Sequence, residues 1–374
     1  MLVLPGVVDE HVHMREPGLE HKGSFSLGTM AAAAGGVTTV VEMPNTVPPV
    51  DDASRLREKA ALLSGRAHVD FALLGVLRRG NVDRLPEMLE AGALGFKAFL
   101  GPTTGEIPPP SDSEVYEALE LSARLGFTVA FHAESWELVS LFTERVRASG
   151  RRDPLAHLES RPPVCEELAI QKIAVMARDT GGRAHVVHLA CAGGLEVVRR
   201  ERARGTRLTA ETCPPYLFLS AEDYPRLGPL MKVNPPVRGE EHRAALWRGV
   251  RDGSISAVAS DHAPHSEEEK SRDMMEAASG VIGVQTLLPL MLDAALRGEL
   301  SLTRMVEVLS EGPARVFGLH PRKGSLSVGS DGDLVLVDPR GETVVSRERL
   351  YAKHPLTPFE GRRLRGRVAA TVLR

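Results

Sequence analysis

Pro5-Gly6-Val7-Val8-Asp9-Glu10-His11-Val12-His13-Met14-Arg15 reads as an apolar strand that ends in a His-X-His pair, with an arginine two residues beyond. In an extended strand residues i and i+2 share a face, so His11 and His13 project side by side. Two neutral imidazoles on one rigid face make half a metal site. Taken alone, the pair equally suits a surface strand with two chance histidines, so the rest of the chain has to decide.

Working outward, β-rich runs alternate with helical stretches, the pattern of a parallel βα array. The runs are 7–12, 37–43, 69–76, 94–100, 128–132, 184–189, 208–212 and 255–260, with helix-like segments such as 27–34, 53–63, 113–125, 166–178 and 240–250 between them. Eight strands with intervening helices count out an α/β fold of the (β/α)8, TIM-like type; an open doubly wound sheet is the runner-up. Residues 214–239 are rich in Pro and Gly and lack periodicity, which predicts a long loop forming a lid or wall of an active site. From Lys323 onward the texture changes, and 323–329, 333–338 and 367–373 read as short strands. The expected division is a barrel over 1–318 and a small β appendage over 319–374.

The hydrophobic content of 43% supplies a core, and the net charge of −3 with interspersed signs offers no polybasic tract. Nucleic acid and anionic membranes are therefore poor partners, and a small-molecule substrate is expected. Cys165, Cys191 and Cys213 are widely spaced, which fits reduced thiols in a cytoplasmic protein. No signal peptide is visible, and no apolar run approaches the roughly 20 residues that span a bilayer. Lysine occurs at only eight positions, which makes any buried lysine conspicuous.

In a βα barrel, chemistry gathers at the C-terminal ends of the strands. His11 and His13 end the first strand, His132 the fifth, His188 the sixth and Asp261 the eighth, while Lys97 interrupts the apolar run Gly95-Phe96-Lys97-Ala98-Phe99-Leu100. Singly, His132 and His188 suit satisfied core histidines, Lys97 a snorkelling strand-end lysine and Asp261 a helix N-cap. Jointly, six such residues on one rim point to one metal site. An ammonium cannot ligate a cation, but a neutral lysine amine reacts with carbon dioxide to form a carbamate, whose two oxygens can bridge two metals.

With these motifs the chain resembles the amidohydrolase superfamily of cyclic amide hydrolases, and within it the dihydroorotases, over nearly its whole length. The resemblance implies a binuclear centre, two Zn2+ held by His11, His13, Lys97, His132, His188 and Asp261, with Lys97 carboxylated as the bridge and Asp261 as catalytic acid–base. It further implies that Arg15, Asn45 and His265 bind a substrate carboxylate, on the motifs His13-Met14-Arg15-Glu16-Pro17-Gly18, Met43-Pro44-Asn45-Thr46 and Asp261-His262-Ala263-Pro264-His265. Asn234, in Lys232-Val233-Asn234-Pro235-Pro236-Val237-Arg238, and the backbone near Ser279-Gly280 would contact the ring. Arginine suits that task because its planar fork matches a carboxylate. Asp9 is expected to fix a histidine tautomer or to serve structure alone.

The implied reaction is reversible opening of dihydroorotate to N-carbamoyl-L-aspartate in pyrimidine synthesis, by a homo-oligomer (dimer or tetramer), with aspartate transcarbamoylase as a conceivable partner. Three departures stand out. The family carries a longer β segment before this Pro-Gly, which implies a reduced appendage or a truncated gene model. Glu211-Thr212-Cys213-Pro214-Pro215-Tyr216-Leu217 leans toward allantoinases and hydantoinases, with Pro215 where His is common. Many bacterial dihydroorotases have aspartate near the position of Lys97. The alternatives are an allantoinase or hydantoinase, and a non-catalytic scaffold for aspartate transcarbamoylase.

Overall fold

Gly6 divides two strands with different fates in the computed structural model, which describes residues 1–103 and 107–374. Strand β1 (Leu2–Pro5) runs antiparallel to a strand near the C-terminus, whereas β2 (Val7–Val12) enters the barrel. A Cβ on Gly6 would run into the side chain of Thr38, so the chain crosses from one sheet to the other where only glycine fits.

The barrel continues with β3 (Val37–Glu42), β4 (Asp70–Leu73), β5 (Gly75–Leu77), β6 (Phe96–Phe99), β7 (Thr128–His132), β8 (Arg183–Val186), β9 (Leu208–Thr212) and β10 (Ala257–Val258). All neighbouring pairs are parallel, in the orders β2-β3-β4 and β5-β6-β7-β8-β9-β10. β4 and β5 are two halves of one stave, interrupted at Leu74, so the staves number eight as the (β/α)8 reading expects. The seam closes beyond β10: His13 N–H donates to the carbonyl of His262 at 2.7 Å, and Val12 bridges His262.

Near-continuous burial along the staves explains their apolar wording. β2, β3 and β6 are buried at every position, as expected of strands covered on both faces. The helices carry ordinary start signals. Asp52 caps Ala53–Leu63 by accepting from Arg55 N–H, and Ser111 with Glu114 forms a capping box at Asp112–Leu125. No helix among the described residues is long and apolar enough to cross a membrane.

The appendage is a three-stranded sheet in the order β1-β11-β12, with β11 (Leu334–Val344) and β12 (Arg363–Val372) antiparallel. The expected strand over 323–329 is instead a turn-rich segment, organised around Lys323. The Lys323 ammonium pairs with Asp70 at the start of β4 and with Asp331 and Asp333. Residues 214–239 are also not one loop. They hold the short helices Pro214–Phe218 and Tyr224–Leu227 and two 3-10 turns, and the buried Arg238–Glu166 pair at 2.9 Å fixes their end. Prolines at the first turns of these helices hid the pattern, being compatible with helix starts but suggestive of loops.

Candidate metal centre and active site

β2 ends by presenting His11 and His13 on one face, their ring centroids 5.2 Å apart. Across the barrel seam, Asp261 Oδ1 lies 3.3 Å from Nε2 of each. Ligand atoms about 2.1 Å from a tetrahedral zinc lie about 3.4 Å from one another, so this spacing fits a shared metal ion. His188 approaches from the far side, with its ring 5.5 Å from His11 and 4.5 Å from His132. His188 and Asp261 fall two and three residues past the ends of β8 and β10, in left-handed backbone with φ of 41° and 46°. Arg15 shares that conformation at φ 70°. Such conformations cost about 1–3 kcal/mol each for non-glycine residues and persist where the surroundings impose them.

Between these groups lies Lys97, fully buried on β6, with no hydrogen-bond partner for its Nζ. Burial pulls its pKa down to about 8, against the opposing effect of Glu211 and Asp261. An unpartnered amine among histidines, with its pKa drawn toward neutrality, suits carbamate formation. Burial likewise lowers His13 to about 3 and holds His132 and His188 below the usual histidine range. These imidazoles are therefore neutral, the form that binds metal. Burial alone would raise Asp261, but His11, His13 and Lys97 outweigh it and keep the carboxylate ionised.

Three of the four imidazoles are oriented by a side-chain hydrogen bond, whereas the buried His188 Nδ1 has no partner. His11 Nδ1 bonds Glu211 Oε1 at 2.5 Å, His13 Nδ1 bonds Asn45 Oδ1 at 2.7 Å, and His132 Nε2 bonds Glu134 Oε2 at 2.8 Å. Asp9 does not take this role. Its Oδ1 accepts from the backbone N–H of Ser260 at 3.0 Å and of His11, tying the ends of β10 and β2 together. Glu211, Glu134 and the buried pairing of His185 with Glu10 and Glu211 were missed by sequence reasoning. Glu211 had a signal, since a carboxylate within the apolar run of β9 is hard to place otherwise.

A cavity of about 370 Å³ opens above this centre, and all twelve sequence-derived site residues face it. On one wall, Arg15 donates through Nε to the Pro264 carbonyl at 3.1 Å, and its NH2 lies 3.1 Å from His265 Nε2. Glu16 does not pair with it, being engaged by Arg66 and Phe25 N–H. Lys22, unremarked in the sequence, stands 3.3 Å from His265 Nδ1 and 2.6 Å from Glu269 Oε1. Asn234 also lines the cavity, its Oδ1 buried and unpartnered. Pro215 lies in the helix Pro214–Phe218 and does not line the cavity.

Comparison with known proteins agrees with this architecture. The profile of the Amidohydrolase family matches residues 2–374. The chain is 41% identical to an allantoinase of Rubrobacter xylanophilus over all of its own length and 83% of the relative's. It is 39% identical to a dihydroorotase of Methanosarcina mazei over 96% of its length and 80% of the relative's. Its fold superposes on the L-hydantoinase (dihydropyrimidinase) of Arthrobacter aurescens with a TM-score of 0.97 and 36% identity, covering 100% of this chain and 84% of that one. With an eight-stave barrel, histidines and an aspartate at metal-ligand spacing, and these relatives, the chain belongs to the amidohydrolase family, in its cyclic amidohydrolase branch.

Proposed function

We propose that this chain is a dihydroorotase, opening dihydroorotate to N-carbamoyl-L-aspartate and closing it in reverse, as in pyrimidine synthesis. Arg15 carries the reading. Its guanidinium is buried, faces the cavity and has no carboxylate at ion-pair distance among the described residues. An unpaired buried charge is costly, and a substrate carboxylate gripped by the guanidinium fork relieves that cost. Hydantoin and allantoin carry no ring carboxylate, so Arg15 would stay unpaired beside them. Asn45 gives its oxygen to His13 and one amide N–H to Thr103 Oγ1 at 3.4 Å, which leaves the second N–H as a further donor. The unpartnered Asn234 oxygen suits a ring N–H.

In this reading His11, His13, His132, His188, Asp261 and carboxylated Lys97 would hold two zinc ions, which would supply water activation and Lewis acidity toward the ring carbonyl. The Lys97 amine adds carbon dioxide, forming an N–C bond and releasing one proton. Asp261 takes a proton from the attacking water at a carboxylate oxygen and returns it to the amide nitrogen as the C–N bond breaks. Arg15, Asn45 and His265 hold the carboxylate so that the ring carbonyl lies over the metal ligands.

A second reading, an allantoinase or hydantoinase, is favoured by the names of the Rubrobacter and Arthrobacter relatives and by Glu211-Thr212-Cys213. The two separate in one experiment. Protein purified with zinc and bicarbonate is assayed on dihydroorotate, N-carbamoyl-L-aspartate, allantoin and hydantoin. Dihydroorotate should be turned over with the highest kcat/KM. Preference for allantoin or hydantoin establishes the second reading.

A further inference from the structure

Besides Lys97, two of the eight lysines, Lys232 and Lys270, are buried without a carboxylate partner among the described residues. Buried ammoniums ordinarily pair with acids. These spend their protons on backbone carbonyls of one segment. Lys232 Nζ donates to Met275 at 3.1 Å and Ala277 at 2.6 Å. Lys270 Nζ donates to Ala278 at 3.1 Å, Gly280 at 2.9 Å and Lys232 itself at 3.4 Å. The Ser279 carbonyl is taken by His265 Nε2 at 3.0 Å, and Gly280 N–H donates to the Lys232 carbonyl at 2.9 Å.

Residues 275–280 have no regular secondary structure to satisfy these carbonyls, so the ammoniums replace a hydrogen-bond ladder. The segment ends at Ser279 and Gly280 on the cavity wall, and Asn234 lies two residues beyond Lys232 on the same cavity. Gly280, at φ 145°, permits the approach: a Cβ there would sit 2.7 Å from the Ala263 carbonyl and 2.9 Å from His265 Nε2. The two ring-facing loops, one before Glu240–Asp252 and one after β10, are thus stitched into a single wall by two side chains that do not themselves reach the cavity.

We infer that Lys232 and Lys270 are positioning residues, a two-ammonium clasp that sets the distance between Asn234 and the Ser279-Gly280 backbone and so selects the ring that fits between them. The inference rests on the cyclic-amide reading of the cavity, though not on which ring is preferred. Displacement of a positioning group by an ångström costs about a hundredfold in some enzymes; loss of one clasp arm should cost about tenfold or more.

The test uses the zinc-loaded protein and its Lys232→Met and Lys270→Met variants. Each variant should keep its metal content and its kcat within about threefold, raise KM for the preferred ring about tenfold, and narrow the discrimination between six- and five-membered rings. Unchanged KM and discrimination in folded variants would overturn the clasp. So would a loss confined to metal content. Hydrogen exchange on the unmodified protein guards against variants that fail to fold: the Gly280 amide should be slow, and exchange as fast as that of an open loop also overturns the proposal. If no cyclic amide is turned over, the functional reading fails while the exchange result still judges the clasp.

Discussion

Arg15 sits in left-handed backbone, with its guanidinium against a carbonyl and a neutral histidine. Burial lowers its pKa to about 10, so it stays charged at neutral pH. Burial also brings His265 down to about 4, leaving it neutral and free of repulsion with its cationic neighbours. A charge-assisted bond from the guanidinium to a substrate carboxylate contributes about 1.5–3 kcal/mol. Arg15→Met should therefore raise KM for dihydroorotate about tenfold to a hundredfold and leave hydantoin kinetics nearly unchanged. Equal losses on both substrates would mean that Arg15 supports structure and not the carboxylate. Arg15 was legible in the sequence because the motif places it two residues past the His-X-His pair. Its neighbour Lys22 was not, because its relation to His265 spans 243 residues.

At the level of elements, the barrel strands are legible in local pattern, since a buried parallel strand is apolar throughout and ends where polar groups begin. The less regular pieces were harder to read. The segment 323–329 has the Gly and Ser of a turn but alternates enough to look like a strand, and only Asp70, brought in by β4, shows what Lys323 is for. Three carboxylates converge on that ammonium. Lys323→Met would leave them facing one another and should destabilise the protein by about 3 kcal/mol, read as a lower thermal midpoint. Because their oxygens lie within 4.8 Å of one another, added calcium should restore part of the loss in that variant but not in the parent. A variant as stable as the parent would show the cluster to be solvated and unimportant.

Across the whole molecule, the barrel interior beneath the metal centre concentrates charge. Burial pushes Asp9 up to about 7 and raises Glu10 likewise. Burial alone would lower His185, but Glu10 and Glu211 outweigh it and raise it to about 9. The signs agree. Raised carboxyls give stability that is complete below their ordinary range and is lost as pH rises through about 7. A raised histidine gives stability that is complete below 6.5 and is lost as pH rises through about 9. The neutral buried histidines work in the opposite direction below pH 6.5, so the contribution is read as a difference: the thermal midpoint of the metal-free parent minus that of its Glu10→Gln variant should fall from pH 5 to pH 9. A difference that rises with pH in chelator would contradict this account.

What the sequence by itself determined was the set of groups and their placement along the chain. Strand periodicity and strand ends are local properties, so His11, His13, Lys97, His132, His188 and Asp261 could be assigned to one rim before any contact was known. The tertiary structure alone decided how those groups are held. Glu211 reaches His11 across 200 residues, His262 closes the barrel against His13, β1 pairs with β11, and Lys232 binds carbonyls 43 and 45 residues away. Each joins distant segments through one to a few polar contacts, and so few contacts leave no periodic trace in either segment.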